Sequence, residues 1–221
     1  MATVLITGVN RGIGRAMAEA YIKRGDRVIG TVRKKDAVPQ GVEALVLDVT
    51  SAQSCAAAAE TLKGRSVDLL IVNAGANNQA RGGITDPTNT PQSWADMLAV
   101  SVTGVFLTIR AFLPNVEAAK GKIAIISSQM GSSTRTGAGS YGYRASKAAA
   151  SNLAVNMALE LEPKGIAIAS YHPGWVQTDM GGAAAPLTPA DSARHLIAGF
   201  DKLSLKTTGG FFDYDGKVMP F

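Results

Sequence analysis

The chain contains a single cysteine, Cys55, among its 221 residues, so an internal disulfide bond is impossible. It also lacks an uninterrupted apolar run of the roughly 18 residues that a membrane-spanning helix needs. Its first residues, MATVLITG, read directly into a strand, which is not typical of a signal segment. These absences predict a soluble, cytoplasmic protein with no membrane partner.

Long runs of basic residues are absent as well. The net charge is +5, yet the longest basic run is the RKK segment at 33–35. Nucleic-acid-binding domains concentrate lysine and arginine on one face or along one stripe. Scattered charges are typical of an ordinary basic surface, so no nucleic-acid partner is predicted.

Repeats, low-complexity tracts and linkers are missing too, which predicts a single domain over residues 1–221. Hydrophobic residues make up 46% of the chain, enough for one sizeable core. Short apolar segments such as ATVLITG and VDLLIVNAG alternate with helical patterns such as GIGRAMAEAYIKRG. This order is typical of βαβ units. It predicts an α/β fold whose Rossmann-type, doubly wound parallel sheet has about seven strands, with helices on both faces.

A glycine-rich turn, TGVNRGIG, joins the first predicted strand to the first helix. Gly8 permits a tight turn, Gly12 permits close approach of a pyrophosphate, and Gly14 permits close packing of the helix on the strand. The amide groups at a helix N-terminus also suit phosphates. The turn therefore predicts a dinucleotide site, although three residues separate its first two glycines instead of one.

Arginine residues lie where the adenosine ribose of that dinucleotide is expected. An acidic residue after the second strand would bind the ribose 2′-hydroxyl of NAD. This strand instead ends GTVRKKD, with Arg33 near that position and Asp36 later, and Arg11 lies inside the glycine turn. Because a guanidinium suits a 2′-phosphate, the predicted cofactor is NADP(H).

Two further strand ends carry groups suited to the cofactor. Asp48 ends the third strand, where its carboxylate would accept a hydrogen bond from the adenine amino group. The alternative, that Asp48 caps the next helix, is weakened because Thr50 and Ser51 are better placed for capping. Asn73 ends the fourth strand and would tie neighbouring strand ends together, while Gly75 permits close approach of the cofactor.

The segment SYGYRASK, residues 140–147, offers two tyrosines before one lysine. Tyr143 and Lys147 are four residues apart, only about 40° around a helix, whereas Tyr141 is about 240° from Lys147. A nearby ammonium lowers the pKa of a tyrosine from about 10. Such a phenol would protonate an alkoxide as hydride arrives. Ser128, at the end of the fifth strand, would hold the carbonyl oxygen.

In order and spacing, the segments TGVNRGIG, NAG, the ISS pair, YRASK and PGWVQTDMGG resemble the short-chain dehydrogenase/reductase family over nearly the whole chain. The compact length and the FFDYDGK segment resemble its C-factor and sniffer-like carbonyl reductase branch. The resemblance implies that Tyr143 is the acid/base and that Lys147 binds the nicotinamide ribose. It also implies that Ser128 orients the substrate and that Thr178 holds the nicotinamide carboxamide. The predicted cofactor-binding residues are Gly8, Asn10, Arg11, Gly12, Ile13, Gly14, Arg33, Asp48, Val49, Asn73, Ala74, Gly75, Tyr143, Lys147, Pro173, Gly174, Val176 and Thr178.

The chain departs from the family pattern at Ser101. The family usually has asparagine at this place in its fourth long helix, where it supports a water-linked proton relay to the lysine; here the segment reads AVSVTGVF. Ser101 is therefore included among the predicted catalytic residues, and reduced but real activity is expected.

The loop after Ser128 is also slightly longer than usual, and strict counting would select Tyr141 as the acid. Loops absorb insertions readily, whereas the spacing of four along a helix cannot slip, so Tyr143 remains the predicted acid. Ser127 is the less favoured serine, because side chains alternate along a strand. His172 is expected to be structural or part of a pocket wall, and Trp175 to be either core or pocket lining.

The leading hypothesis is an NADP(H)-dependent oxidoreductase of carbonyl reductase or alcohol dehydrogenase type. It would transfer hydride between the nicotinamide and a small or medium carbonyl compound or secondary alcohol, with no metal. The alternative is a nucleotide-binding regulatory or signalling protein with little turnover. A homodimer or homotetramer is implied by the resemblance, although the apolar faces of the helices at 91–114 and 141–163 could equally be core.

Overall fold

The computed structural model describes residues 1–33, 38–76 and 83–221, and within them seven strands form one sheet. Its order is β3-β2-β1-β4-β5-β6-β7, and every pairing of neighbours is parallel. The strands are β1 Thr3–Thr7, β2 Arg27–Val32, β3 Glu43–Val46, β4 Leu69–Val72, β5 Lys122–Ile126, β6 Ala167–Tyr171 and β7 Phe211–Phe212. The predicted doubly wound sheet is confirmed. Its order reverses between β1 and β4, so a crevice opens at the carboxyl ends of these two strands.

The described helices connect these strands, as βαβ units require. They are α1 Gly12–Arg24, α2 Ala52–Thr61, α3 Pro91–Leu98, α4 Gly104–Ala119, α5 Tyr141–Leu161 and α6 Pro189–Lys202. Alternate strand residues enter two apolar clusters, one on each face of the sheet. Leu5 packs with α2, α4 and α5 in the first cluster, whereas Ile6 packs with α1 and α6 in the second. Both faces are therefore covered, which explains why the strands read as continuous apolar runs.

A π-helical segment, Ala99–Thr103, joins α3 to α4 and makes one continuous helix. The helix was expected to end at about Pro114, but α4 runs on to Ala119 with the proline inside it. Asn115 is the physical reason, because its buried amide donates to the carbonyl oxygens of Leu62 at 2.7 Å and Arg65 at 2.8 Å. These contacts hold the last turns of α4 against the neighbouring α2 and its loop.

By length and composition, the helical segment Pro91–Ala119 is long and apolar enough to cross a membrane, although no such segment was expected from the sequence. Its residues Val105, Ile109 and Phe112 belong to the first apolar cluster, packed beneath the sheet. The core helix of a globular protein meets the same criteria of length and composition. Packing against the sheet accounts for these three apolar side chains.

Candidate active site

The glycine turn after β1 is a cradle that only small residues can form. Gly8 and Gly12 have φ of 75° and 58°, in the left-handed region that favours glycine. A Cβ atom on Gly14 would collide with the carbonyl oxygen of Gly8 and with the Asn73 amide. Arg11 precedes α1 in extended conformation, and no side chain among the described residues caps this helix end. The first amide groups of α1 are therefore left without a side-chain partner among the described residues, as a phosphate site requires.

Two polar side chains fix the cradle to the sheet. The Thr7 hydroxyl accepts hydrogen bonds from the amides of Asn73 and Ala74, both at 2.9 Å. The Asn73 side chain donates to the carbonyl oxygens of Thr7 at 2.9 Å and Gly8 at 3.2 Å. The ends of β1 and β4 are thus held together at the crevice. Thr7 was not among the residues predicted from the sequence; the threonine directly before the glycine turn was the available signal.

Charged groups lie at the ends of β2 and β3, on the side expected for adenosine. The Asp48 carboxylate accepts from the Thr50 hydroxyl at 2.7 Å and the Thr50 amide at 2.9 Å. Those two bonds, with the positive charge of the exposed Arg33, lower the pKa of Asp48. Ser51 caps α2 by accepting from the Ser54 amide, so Asp48 is not the cap. Asp36 lies outside the described residues.

The loop after β6 lies against the glycine turn. A Cβ atom on Gly12 would lie 3.4 Å from Cγ2 of Thr178. The Thr178 hydroxyl accepts from the Gly181 amide at 3.1 Å, and the indole of Trp175 donates to the Gly181 carbonyl oxygen at 2.8 Å. Trp175 is 53% exposed, so it is not a core residue.

Other predicted positions in this loop have mainly structural contacts. Gly174 has φ of 84°, and Val176 forms a β-bridge with Leu187. The carbonyl oxygen of Pro173 accepts a 2.6 Å hydrogen bond from Ser192 in α6. These contacts brace the loop that presents Thr178 to the crevice.

Tyr143 and Lys147 lie buried on one face of α5, with Nζ of Lys147 5.7 Å from the centre of the tyrosine ring. Tyr141 is the first residue of α5 and is only partly buried. The lysine Nζ donates a 3.0 Å hydrogen bond to the carbonyl oxygen of Ile126, at the end of β5. It also lies close to Gly75, where an added Cβ would be 3.4 Å away. The structure therefore brings Tyr143, Lys147 and the end of β4 together.

The pKa of Tyr143 differs from the expectation that its lysine neighbour would lower it. Burial raises the pKa of Tyr143, and the interaction with the Ser128 hydroxyl acts in the opposite direction. Burial also lowers the pKa of Lys147 to about 8. Removal from water disfavours both charged forms, and the ammonium directs its hydrogen bond to Ile126. In this structure the phenol is held protonated at neutral pH.

The two serines at the end of β5 have different environments. The Ser127 hydroxyl donates to the Lys147 carbonyl oxygen at 2.9 Å and lies 2.8 Å from the Ser151 hydroxyl. Ser127 therefore binds the strand to α5. Ser128, by contrast, accepts from the Met130 amide at 3.1 Å and interacts with the Tyr143 phenol. This geometry favours Ser128 as the serine that contacts a substrate.

Ser101 lies buried in the π-helical segment, where its hydroxyl accepts from the Ala76 amide at 3.5 Å. That long bond joins the helix to the segment after β4, next to Gly75. Ser101 thus contacts the segment that Lys147 approaches at Gly75.

Arg144 is a residue that sequence reasoning missed. Its guanidinium donates to the carbonyl oxygens of Gly139 at 3.2 Å, Arg135 at 3.3 Å and Met130 at 3.4 Å. These bonds fold the loop between Ser128 and Tyr143 onto the first turn of α5. The arginine inside YRASK was the available signal, since it directly follows the predicted acid.

His172 is buried at the end of β6, and within the described ranges its Nδ1 atom has no hydrogen-bond partner. Burial lowers the pKa of His172 to about 4, with Asp213 acting to raise it and Arg135 to lower it. A neutral, buried imidazole agrees with the structural interpretation. Over the same ranges, no group of three or more histidine, cysteine or acidic residues could hold a metal ion.

Known proteins are similar to this chain in sequence and in fold. Residues 2–186 match the model of the short chain dehydrogenase family. The C-signal protein of Myxococcus xanthus is 37% identical over 162 residues, covering 70% of this chain and 93% of its own. The structure of the carbonyl reductase Sniffer of D. melanogaster is 27% identical with a TM-score of 0.92, covering 100% of both chains. The NADPH-bound carbonyl reductase from chicken fatty liver is 29% identical with a TM-score of 0.89, covering 100% of this chain and 99% of that one.

Proposed function

Because this chain belongs to the short-chain dehydrogenase family, we propose that it is an NADP(H)-dependent carbonyl reductase or alcohol dehydrogenase. Its substrate would be a small or medium ketone, aldehyde or secondary alcohol. The observation that carries the proposal is the buried set of Ser128, Tyr143 and Lys147 beside the glycine cradle.

The residues of the crevice fit a dinucleotide. Gly12 in left-handed conformation and the excluded Cβ at Gly14 leave backbone exposed to a pyrophosphate. Thr178 lies against the same turn, where it would hold the carboxamide. Arg33 adds positive charge beside Asp48, which favours a 2′-phosphate over a hydroxyl. The NADPH bound to the chicken carbonyl reductase agrees with this choice.

When bound, the nicotinamide would supply or accept the hydride, and side chains of the protein would donate or accept the proton. In the reductive direction, Tyr143 would give its phenolic proton to the carbonyl oxygen as that oxygen becomes an alkoxide. Because the pKa of Tyr143 is raised, the phenol would still carry this proton when the carbonyl compound binds. Ser128 would donate a hydrogen bond to the same oxygen and share its developing charge.

Lys147 would orient the nicotinamide ribose and favour the phenolate after proton transfer. An ammonium near the ring lowers the cost of the negative charge that proton loss creates. The pKa of Lys147, about 8, leaves most of this side chain charged at neutral pH. Ser101, joined to Ala76 by its hydroxyl, would support a water-linked relay in which Lys147 passes a proton to the Tyr143 phenolate and takes one back from water.

A second candidate function is nucleotide-dependent signalling with little turnover. The identity with the Myxococcus C-signal and the serine at position 101 favour it. The complete Ser128, Tyr143 and Lys147 set favours the enzyme, because a purely regulatory nucleotide site needs no proton donor.

An absorbance assay of NADPH oxidation across a panel of aldehydes and ketones tests the two functions. If the protein is a carbonyl reductase, the wild type should oxidise NADPH with at least one of these compounds. Tyr143→Phe should abolish this turnover but still bind NADPH. NADPH binding with no turnover on any carbonyl compound would favour the signalling function.

Self-association is also part of the proposal. Phe106 in α4 and Leu159 in α5 are 43% and 74% exposed, although both are apolar. Their burial between subunits would explain this exposure and supports a homodimer or homotetramer. We further propose a cytoplasmic location, without a nucleic-acid or membrane partner.

A further inference from the structure

An ion pair crosses from the glycine turn to the loop after β6. The Nη1 atom of Arg11 lies 2.6 Å from Oδ2 of Asp179, a residue 168 positions further along the chain. The pair stands where the two loops meet, since a Cβ atom added to the adjacent Gly12 would lie 3.4 Å from Cγ2 of Thr178, the residue before Asp179. Asp179 has no role in the function proposed above.

The charge of Asp179 is unfavourable to a phosphate ligand at this place. The first turn of α1 contains no acidic residue, and the described side chains include no cap for it. Such a helix end favours an anion, and the dinucleotide would bring its phosphates there. Asp179 places an exposed carboxylate near that site, paired with Arg11.

The same Arg11 is the guanidinium within the glycine turn that would pair with a 2′-phosphate. Its partners are therefore alternatives: the carboxylate observed in the structure, or the phosphate dianion of NADPH. A phosphate offers more charge and more acceptor oxygens than a carboxylate. Exchange of the Asp179 carboxylate for the phosphate would therefore be favourable for Arg11. The free energy gained by NADPH binding would be reduced by the loss of the ion pair with Asp179.

We propose that Asp179 is a specificity-determining residue whose carboxylate competes with the 2′-phosphate of NADPH for Arg11. Asp179 thereby weakens NADPH binding more than NADH binding. It narrows the difference between the dissociation constants of the two cofactors. This inference rests on the proposed use of NADP(H). It assigns to Asp179 a part in cofactor selection that is distinct from the attraction exerted by Arg33.

The exposure of the pair sets the size of the effect. The side chains of Arg11 and Asp179 are 72% and 76% exposed, so water and salt screen their attraction. Exposed pairs of this kind change an equilibrium constant by about 1.4- to 5-fold. The pair is weak enough to open without disturbing the fold.

Direct binding measurements on the purified protein test the proposal. NADPH and NADH are titrated separately against the wild type and Asp179→Asn, and dissociation constants are obtained from cofactor fluorescence. We expect the ratio of the NADH constant to the NADPH constant to rise about 1.4- to 5-fold in Asp179→Asn. An unchanged or smaller ratio, or equal tightening of both cofactors, overturns the proposal.

Two variants make the result specific. Glu19→Gln also removes one carboxylate from an exposed ion pair, with Arg15 in α1, and should leave the ratio unchanged. In an Arg11→Gln background, Asp179→Asn should no longer raise the ratio, because the shared guanidinium is gone. A rise that persists without Arg11 would show that the two groups do not compete and would also overturn the proposal.

The proposed preference for NADPH and the proposed role of Asp179 are tested by different quantities. The wild-type ratio alone tests whether NADPH is preferred. The change in that ratio on removal of the carboxylate tests the competition for Arg11, whichever cofactor the wild type prefers.

Discussion

Lys147 directs its ammonium to the carbonyl oxygen of Ile126 at 3.0 Å while lying 5.7 Å from the centre of the Tyr143 ring. Both side chains are buried. The strand end therefore holds the lysine in place, and the phenol keeps its proton because burial raises its pKa. A protonated phenol is what the proposed role of Tyr143, as the acid in carbonyl reduction, requires.

The first prediction concerns the phenolic proton of Tyr143. Replacement by phenylalanine removes the proton donor and keeps most of the buried ring. We expect turnover with a reactive aldehyde to fall by about 10²- to 10⁴-fold, while the dissociation constant of NADPH changes little. Absorbance kinetics and fluorescence titration measure the two quantities. Tyr141→Phe is the matched control, and an equal loss of turnover there would contradict our assignment of the acid.

The second prediction concerns the stability of the free protein against pH. The pKa of Lys147 is lowered from 10.5 to about 8 by burial. Between these values the unfolded chain holds a proton that the folded chain lacks, so raising the pH favours folding. The free energy of unfolding should therefore gain, from this group, on the order of 3 kcal/mol between pH 8 and 10.5.

Urea denaturation at several pH values, with Lys147→Met as the comparison, measures this contribution. The difference in stability between wild type and variant should shift in favour of the wild type as the pH rises from about 8 to 10. A constant difference over that interval would show that the lysine titrates normally in the folded state.

The third prediction concerns Ser101. Its hydroxyl reaches the Ala76 amide only at 3.5 Å, and serine is shorter than the asparagine usual in the family. Ser101→Asn should raise turnover, by about two- to tenfold if proton return limits the rate. A larger solvent isotope effect in the wild type than in the variant would identify the proton as the cause. Ser101→Ala is the control, and a turnover in Ser101→Asn no higher than the wild type's would count against a limiting relay.

The fourth prediction concerns Gly14. An added Cβ would collide with the Gly8 carbonyl oxygen and the Asn73 amide, so Gly14→Ala must displace the cradle. We expect it to weaken NADPH binding at least about tenfold and to destabilise the protein by about 1–3 kcal/mol. Gly83→Ala adds the same methyl group where, apart from its chain neighbours, no atom of the described residues lies within 4 Å, and should change neither quantity. Calorimetric titration and thermal denaturation provide the measurements, and normal NADPH binding by Gly14→Ala would refute the role of the cradle.

Much of the fold could be predicted because its signals are local. Apolar runs alternating with helical periods indicated the parallel sheet, which is confirmed, and the motifs indicated the family, which the comparisons confirm. The end of α4 was misplaced because Asn115 contacts residues more than 50 positions away, at Leu62. Such a contact overrides the helix-breaking tendency of Pro114 and leaves no trace in the neighbouring sequence.

For the candidate site, the sequence could predict only those features that depend on residue type and spacing. The spacing of four between Tyr143 and Lys147 placed them on one helical face, where the structure has them. The direction of the tyrosine pKa was wrong, because burial depends on the surrounding chain and not on the motif. Arg144 and Asp179 were missed for a similar reason: their partners are the 130–139 loop and the glycine turn, which the sequence does not bring together.

The hydrogen bonds that join Thr7, Gly8 and Asn73 have a kinetic consequence. They close within the protein, so the phosphate cradle has its shape before a nucleotide arrives. Association should then resemble the docking of two rigid bodies, with little ordering entropy to lose. Differences in affinity among nucleotides would consequently reside in how long each remains bound, and hardly at all in how fast it enters.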